Sequence, residues 1–338
     1  MNASLTPVLH APWIAAQAEQ LLAQRGHAWI LSGPSGLGQY ELALALASAW
    51  LCDHPTAQGA CGACGSCYAI AVHTHADLCV LMPETVMLEL GWPMSEKAQD
   101  EIDKKARKPS KEIRVDAMRD AVEFSQRTNA RGRGKAVLVF PAERMNHVTA
   151  NALLKTLEEP PGDVKFVLAT EAAHQLLATI RSRCLGHTMA WPDTAQALAW
   201  LEEQGVPSAH AQVLLHAAGG RPADVLRQVA AGQTPAWWSA FPKAMARGEV
   251  AALADLTPAQ AIEALQKLCH DLALRQSGAM PRFFQADVLP PSKASLSTLT
   301  AWFKRLGTAA RTAEHPFNPG LMLEALASEA RLAILSAA

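Results

Sequence analysis

The chain has 338 residues and half of them are hydrophobic, enough for two or three domains each with its own core. Its 30 Lys and Arg nearly balance 31 Asp and Glu, so no global field draws it to nucleic acid or anionic lipid; any DNA contact is expected to be local or shared with partners. The longest apolar run, Leu42 to Leu51, is too short to cross a bilayer, and no basic segment followed by a signal-type core opens the chain, so the expectation is a cytoplasmic protein with no membrane role.

In chain order, Ala28 to Ser32 reads as a buried strand, and Glu41 to Leu51 as an Ala/Leu-rich helix. Between them Gly33-Pro34-Ser35-Gly36-Leu37-Gly38-Gln39-Tyr40 has the outline of a phosphate-binding loop. A working loop reads G-x-x-x-x-G-K-[ST]: backbone N–H groups cradle the phosphates, Lys neutralises them and the hydroxyl holds Mg²⁺. Here Gly33, Gly36 and Gly38 keep the turn, while Gln39 and Tyr40 replace both working side chains.

Next, Cys52, Cys61, Cys64 and Cys67 supply four thiolates within sixteen residues, and Gly59, Gly62 and Gly65 let the backbone wrap a small cation. An iron–sulfur cluster also takes four cysteines, but the set favours structural Zn²⁺ with no open position for a catalytic water. His54, His73 and His75 are reserve ligands, read as surface residues; Cys79, Cys184 and Cys269 read as ordinary buried thiols.

Three further short apolar runs, Asp77 to Met82, Lys135 to Phe140 and Lys165 to Thr170, suit a parallel sheet buried on both faces. Pro83 to Glu112 is dense in charge and reads as a mobile surface insertion. Helices are expected at Val115 to Thr128 and from Thr149, as N-cap, to Glu159, where Pro160-Pro161 stops the second. The strand Lys135 to Phe140 ends in Pro141 where a P-loop protein places its Mg²⁺-binding carboxylate, and Glu143 is too far along to substitute. With Lys, hydroxyl and carboxylate all lost, neither ATP turnover nor ATP binding by this chain is expected. Ser182-Arg183-Cys184 follows the last strand, and its arginine, placed at the domain edge, could reach a neighbouring subunit's phosphate. After Trp191-Pro192 only helices are expected: Thr194 to Gln204, Ser208 to Ala217 and Pro222 to Ala230, then, beyond a linker near Pro235, Pro258 to Gln276, Ser295 to Thr312 and Gly320 to Ser336.

The cysteine cluster, the run Asn151-Ala152-Leu153-Leu154-Lys155-Thr156-Leu157-Glu158-Glu159-Pro160-Pro161 and Ser182-Arg183-Cys184, in that order, resemble the clamp-loader AAA+ proteins of bacterial DNA replication, from Pro12-Trp13 through the C-terminal helices. The resemblance implies an α/β P-loop AAA+ domain with a parallel sheet (1–191, including a zinc module at 52–67 and the charged insertion at 84–112), an all-α lid (192–234) and an all-α C-terminal collar domain (235–338) that joins subunits into a ring. The degenerate loop points to a non-hydrolysing member. Arg183, beside Ser182, would then act in trans on ATP held by a gamma or tau subunit, in a hetero-oligomer with delta that loads the sliding clamp onto primed DNA for the DNA polymerase III holoenzyme. Thr170 matches the polar residue that ends the family's sensor strand. In the lid, Ala223 stands where active members carry a sensing Arg, with Arg221 slightly too early. The rival readings are an active clamp-loader ATPase with an unorthodox loop, a zinc-dependent DNA-binding module and a P-loop small-molecule kinase.

Overall fold

The computed structural model describes residues 11–313 and 318–336. The outer ends of the expected first and last domains lie outside the described residues. Two compact units divide at Gln196–Ala197.

The first unit is built on a five-stranded, all-parallel sheet of β1 (Ala28–Ser32), β2 (Leu78–Leu81), β3 (Lys135–Val139), β4 (Val164–Thr170) and β5 (Leu185–Thr188), in the order β2-β3-β4-β1-β5. The helices around it are α1 (Pro12–Leu22), α2 (Gln39–Leu51), α3 (Gly65–Ala71), α4 (Glu84–Leu90), α5 (Glu96–Asp103), α6 (Val115–Gln126), α7 (His147–Glu158) and α8 (Ala178–Arg181). Alternate strand residues face opposite sides. Ile30, Val137, Val139, Phe166 and Leu168 pack with Met118 and Ala121 of α6 and Leu153 and Leu157 of α7. On the other side Trp29 stacks on Trp50 of α2 at 5.0 Å between ring centroids. α2 is apolar on nearly every side, which suits a helix buried between sheet and neighbouring helix; α1 packs against it. Lys135 stays in the buried centre because its Nζ lies 3.4 Å from Asp77 Oδ1 and 3.9 Å from the centre of the Phe124 ring.

Three sequence expectations need correction. β5 was not foreseen: Leu-Gly-His-Thr has no apolar run, and Leu185, Gly186 and Thr188 are exposed, so only pairing with β1 makes it a strand. Thr149 is not an N-cap. α7 starts earlier, from Asn146, whose Oδ1 accepts the Thr149 N–H at 3.0 Å, while the buried Thr149 hydroxyl donates to Ile113 O at 3.2 Å. The charged stretch 84–112 is not a loose insertion. It carries α4 and α5, and the Arg107 guanidinium ties the buried Glu84 (Nη2–Oε1 2.7 Å) to Glu101 (Nε–Oε2 2.7 Å). Trp92, 8% exposed, anchors the segment to the core.

The second unit is helical throughout its described residues: α9 (Thr194–Glu203), most of which belongs to it, then α10 (Ser208–Ala217), α11 (Pro222–Ala230), α12 (Pro235–Arg247), α13 (Pro258–Gln276), α14 (Leu296–Thr312) and α15 (Pro319–Leu335). Thr257 and Gln260 form a reciprocal capping box at the start of α13. The fully buried Asp271 carboxylate accepts N–H bonds from Arg282, Phe283 and Phe284 at 2.7–2.9 Å, which fixes the loop after α13 and sets Phe284 against Trp238. Among the described residues no helix is long and apolar enough to cross a membrane.

Candidate functional site

The loop between β1 and α2, outlined in the sequence as a phosphate loop, is tied to itself by its own side chains. Gly36 (φ 78°) and Gly38 (φ 95°) take left-handed conformations, and a Cβ on Gly38 would stand 2.6 Å from Ile14 Cδ1, so glycine is required there. Gln39, 3% exposed, turns inward and donates from Nε2 to the carbonyls of Gly33 (2.5 Å) and Pro34 (2.8 Å). It crosslinks the loop to itself where a lysine would reach outward to phosphate. Trp13 Nε1 donates to Leu37 O at 3.1 Å and pins the loop from outside. Tyr40 is 3% exposed, lies against Phe140 with ring centroids 5.3 Å apart, and accepts the Trp92 indole N–H at 2.7 Å. Burial holds its phenol above the ordinary value, so it stays protonated. Trp92 in turn stacks on His73 at 3.9 Å. Tyr40 is thus a packing anchor for the 84–112 segment.

Past β3, Glu143 is engaged beside the end of β4, whose Thr170 carbonyl accepts the Gly33 N–H at 3.3 Å. Its Oε2 accepts the Thr170 hydroxyl at 2.6 Å and Oε1 the Glu171 N–H at 3.3 Å. The residue weighed as a substitute carboxylate and the residue matched to the sensor strand are thus joined to each other. Arg221 stands just before α11, and its side chain bonds within its own unit: Nε donates to Ala218 O at 2.8 Å and lies 2.9 Å from Asp224 Oδ2.

The four cysteines come together. Their sulfurs all lie within 4.8 Å of one another, with neighbouring separations of 3.4 Å (Cys64–Cys67), 3.7 Å (Cys52–Cys67), 3.8 Å (Cys52–Cys64) and 4.0 Å (Cys61–Cys67). A tetrahedral ion with metal–sulfur bonds of about 2.3 Å spaces its ligands about 3.8 Å apart, so the set fits one such ion. Backbone N–H groups of His54 and Cys61 point at Cys52 Sγ, and that of Cys67 at Cys64 Sγ. The last of these brings the Cys64 thiol down to about 6, whereas burial pushes Cys67 up to about 12. Asp53 supports the turn by accepting from Ser66 Oγ at 2.8 Å and Arg131 Nη2 at 3.1 Å; the Ser66 bond, foremost, draws its carboxyl down to about 2. Among the described residues no histidine joins the group. His75, expected on the surface, is buried, and its Nδ1 accepts the Asp77 N–H at 3.1 Å. Of the remaining cysteines Cys269 is buried, while Cys79 and Cys184 are half-buried.

Ser182-Arg183-Cys184 follows α8 and leads into β5. β5 runs from Leu185 opposite Trp29 to Thr188 opposite Ser32. Arg183 therefore precedes the sheet's N-terminal edge and the loop at Gly33 leaves its C-terminal edge, with about 13 Å of strand between them at ~3.3 Å per residue. The guanidinium is engaged at every nitrogen. Nε donates to Glu158 Oε1 at 2.6 Å and Nη2 to the same oxygen, while Nη1 donates to Thr179 O at 2.7 Å and to Ser182 Oγ at 3.3 Å. Ser182 Oγ itself donates to Thr179 O at 3.1 Å. Glu158 ends α7, so the two motifs singled out in the sequence, Leu-Leu-Lys-Thr-Leu-Glu-Glu-Pro-Pro and Ser-Arg-Cys, meet through this pair.

The family model described as "DNA polymerase III, delta subunit" matches residues 15–191, more than half of the chain. The chain belongs to this family. Among its relatives, the DNA polymerase III subunit delta' of Pseudomonas aeruginosa is 40% identical over 215 residues, covering 62% of this chain and 58% of that protein. The DNA polymerase III subunit tau of Salmonella typhimurium is 33% identical over 176 residues, covering 52% and 23% respectively. The matched stretch thus spans little more than half of the delta' relative and a quarter of the tau relative. A DNA polymerase III gamma subunit-related protein of Thermotoga maritima has a solved structure with TM-score 0.48 and 18% identity, covering 94% of this chain and 98% of that one. Sequence reasoning missed Trp92 as the partner of Tyr40 and Glu158 as the partner of Arg183. Glu158 stood inside a quoted run, but nothing in its spacing to Arg183 signals a contact.

Proposed function

We propose that the chain is a non-hydrolysing, delta'-type subunit of the bacterial replicative clamp loader. One observation carries the reading: both working positions of the phosphate loop are spent on the protein's own structure, Gln39 on the loop carbonyls and Tyr40 on Trp92. A loop that retains its backbone shape without a cation or a Mg²⁺ ligand has no means to stabilise a transferring phosphoryl group. Arg183 supplies what the chain offers instead, a finger in trans to ATP on an adjacent gamma or tau subunit. Its place at the sheet edge away from its own loop supports that direction of reach. The partners in this reading are gamma or tau and delta in a hetero-oligomeric ring in the cytoplasm, with primed DNA and the sliding clamp met through the complex. Residues 192–234 serve as lid and 235–338 as collar.

The cysteine module holds structural Zn²⁺ through Cys52, Cys61, Cys64 and Cys67 in this reading. All four positions are filled by protein, so the ion's contribution is to folding rather than to chemistry.

The test is ATP and Mg²⁺ with the purified chain alone, then with a partner that has a complete G-x-x-x-x-G-K-[ST] loop. The expected outcome is no turnover alone and a stable complex with stimulated hydrolysis. Steady turnover by the chain alone, abolished by Gly38→Ala, would favour an active ATPase instead.

A further inference from the structure

We propose that Glu158 is a latch on Arg183, holding the guanidinium in the free subunit and yielding it to phosphate on assembly. The inference rests on the finger reading and extends it to the residue that controls the finger. Glu158 and Arg183 are 25 positions apart, and the structure joins them by two N–H donors on one carboxylate oxygen, with Nη1 turned back onto Thr179 and Ser182. A guanidinium so engaged has every nitrogen committed to its own chain, and its charge is neutralised. Carboxylate and phosphate present the same kind of anionic oxygens to the same planar fork, so the two compete for it, and a γ-phosphate brought against an intact pair would meet the Glu158 charge.

The location supports a role in the pair rather than in the helix. Glu158 is the last residue of α7, where the carbonyl end of the helix disfavours a carboxylate. The pair is also suited to release: the two side chains are 31% and 47% exposed, so water screens the attraction. A single exposed ion pair shifts an equilibrium by only about 1.5- to fivefold. That is enough to favour the held state when no phosphate is near, and too little to resist a multiply charged phosphate in place. Glu158 acts through Arg183, so it is a positioning residue.

The experiment uses the complex reconstituted with a P-loop-competent partner and titrated with ATP, comparing the unaltered chain with Glu158→Gln, Glu158→Ala and Arg183→Ala. A latch predicts that both Glu158 variants lower the half-saturating ATP for hydrolysis about 1.5- to fivefold and leave the maximal rate unchanged. In the isolated chain, Arg183 should be labelled faster by an arginine-specific dicarbonyl in Glu158→Gln, read by peptide mass spectrometry. Unchanged half-saturation, or a fall in maximal rate, overturns the latch. If Arg183→Ala slows hydrolysis while the Glu158 variants do not shift half-saturation, the finger stands and the latch alone fails. If Arg183→Ala has no effect, the finger reading fails and takes the latch with it.

Discussion

Tyr40 separates a vestigial ligand position from a structural one, because two substitutions at it remove different things. Tyr40→Phe deletes only the oxygen that accepts the Trp92 indole N–H at 2.7 Å, in a site where both residues are under 10% exposed. A buried donor left without its acceptor costs about 1–3 kcal/mol. Tyr40→Thr restores the hydroxyl that a working loop would use for Mg²⁺ but removes the ring packed against Phe140. Aromatic-to-small changes in a core cost about 3–5 kcal/mol, since the cavity closes only in part. For a unit of this size each kcal/mol moves the melting temperature about 2–4 °C, so Phe should lower it by a few degrees and Thr by roughly 6–20 °C. Differential scanning calorimetry of the whole chain reads both. The reasoning is refuted if Tyr40→Phe is silent, or if Tyr40→Thr keeps full stability and gains ATP turnover.

Cys64→Ser should take bound zinc from about one per chain to a small fraction of that by elemental analysis, and lower the unfolding temperature of the first unit, because structural metal binding is coupled to folding. Glu84 is held below the ordinary carboxylate range, chiefly by its hydrogen bond from Arg107. A depressed folded-state value means that its contribution is complete above about pH 4.3 and lost as pH falls below that. Hydrogen exchange over 84–103, corrected for intrinsic rates, should lose protection on acidification in the unaltered chain; in Glu84→Gln it should be weakly protected even at pH 7. In the second unit Asp271→Asn should cost about 2–3 kcal/mol, because the amide cannot match three converging N–H donors with a charged acceptor. Denaturant unfolding followed by far-UV circular dichroism, compared with the unaltered chain, measures it.

The motifs with a strict local grammar were legible in the sequence. Glycines around an apolar strand and an Ala/Leu helix announced the loop, and four closely spaced cysteines announced a site whose sulfurs indeed lie at ligand distances. Four strands were visible because parallel strands buried on both faces are continuous apolar runs. β5 was not, since an exposed edge strand is held by backbone pairing, which leaves no mark on Leu-Gly-His-Thr. The 84–112 segment misled because its charge density suggested solvation. Its order comes from Trp92 on Tyr40 and from Glu84 and Glu101 on Arg107, contacts that span 6 to 52 positions and have no periodicity. His75, expected on the surface with His54 and His73, is buried, because its burial is set by the fold rather than by residue type. The Glu158–Arg183 pair belongs to the same class. Each residue could be singled out by its motif, but their meeting depends on α7 and α8 being brought together at one edge of the sheet.

The most direct measurement is ATP hydrolysis by the complex reconstituted with a P-loop-competent partner, with and without Arg183→Ala, against the isolated chain as blank. The account predicts a blank at background and, at the one site that adjoins this chain, a rate lowered by a factor on the order of 10³ by the substitution, with assembly unchanged. An isolated chain that turns over ATP, or a complex whose every site hydrolyses as fast with alanine at position 183, would contradict it.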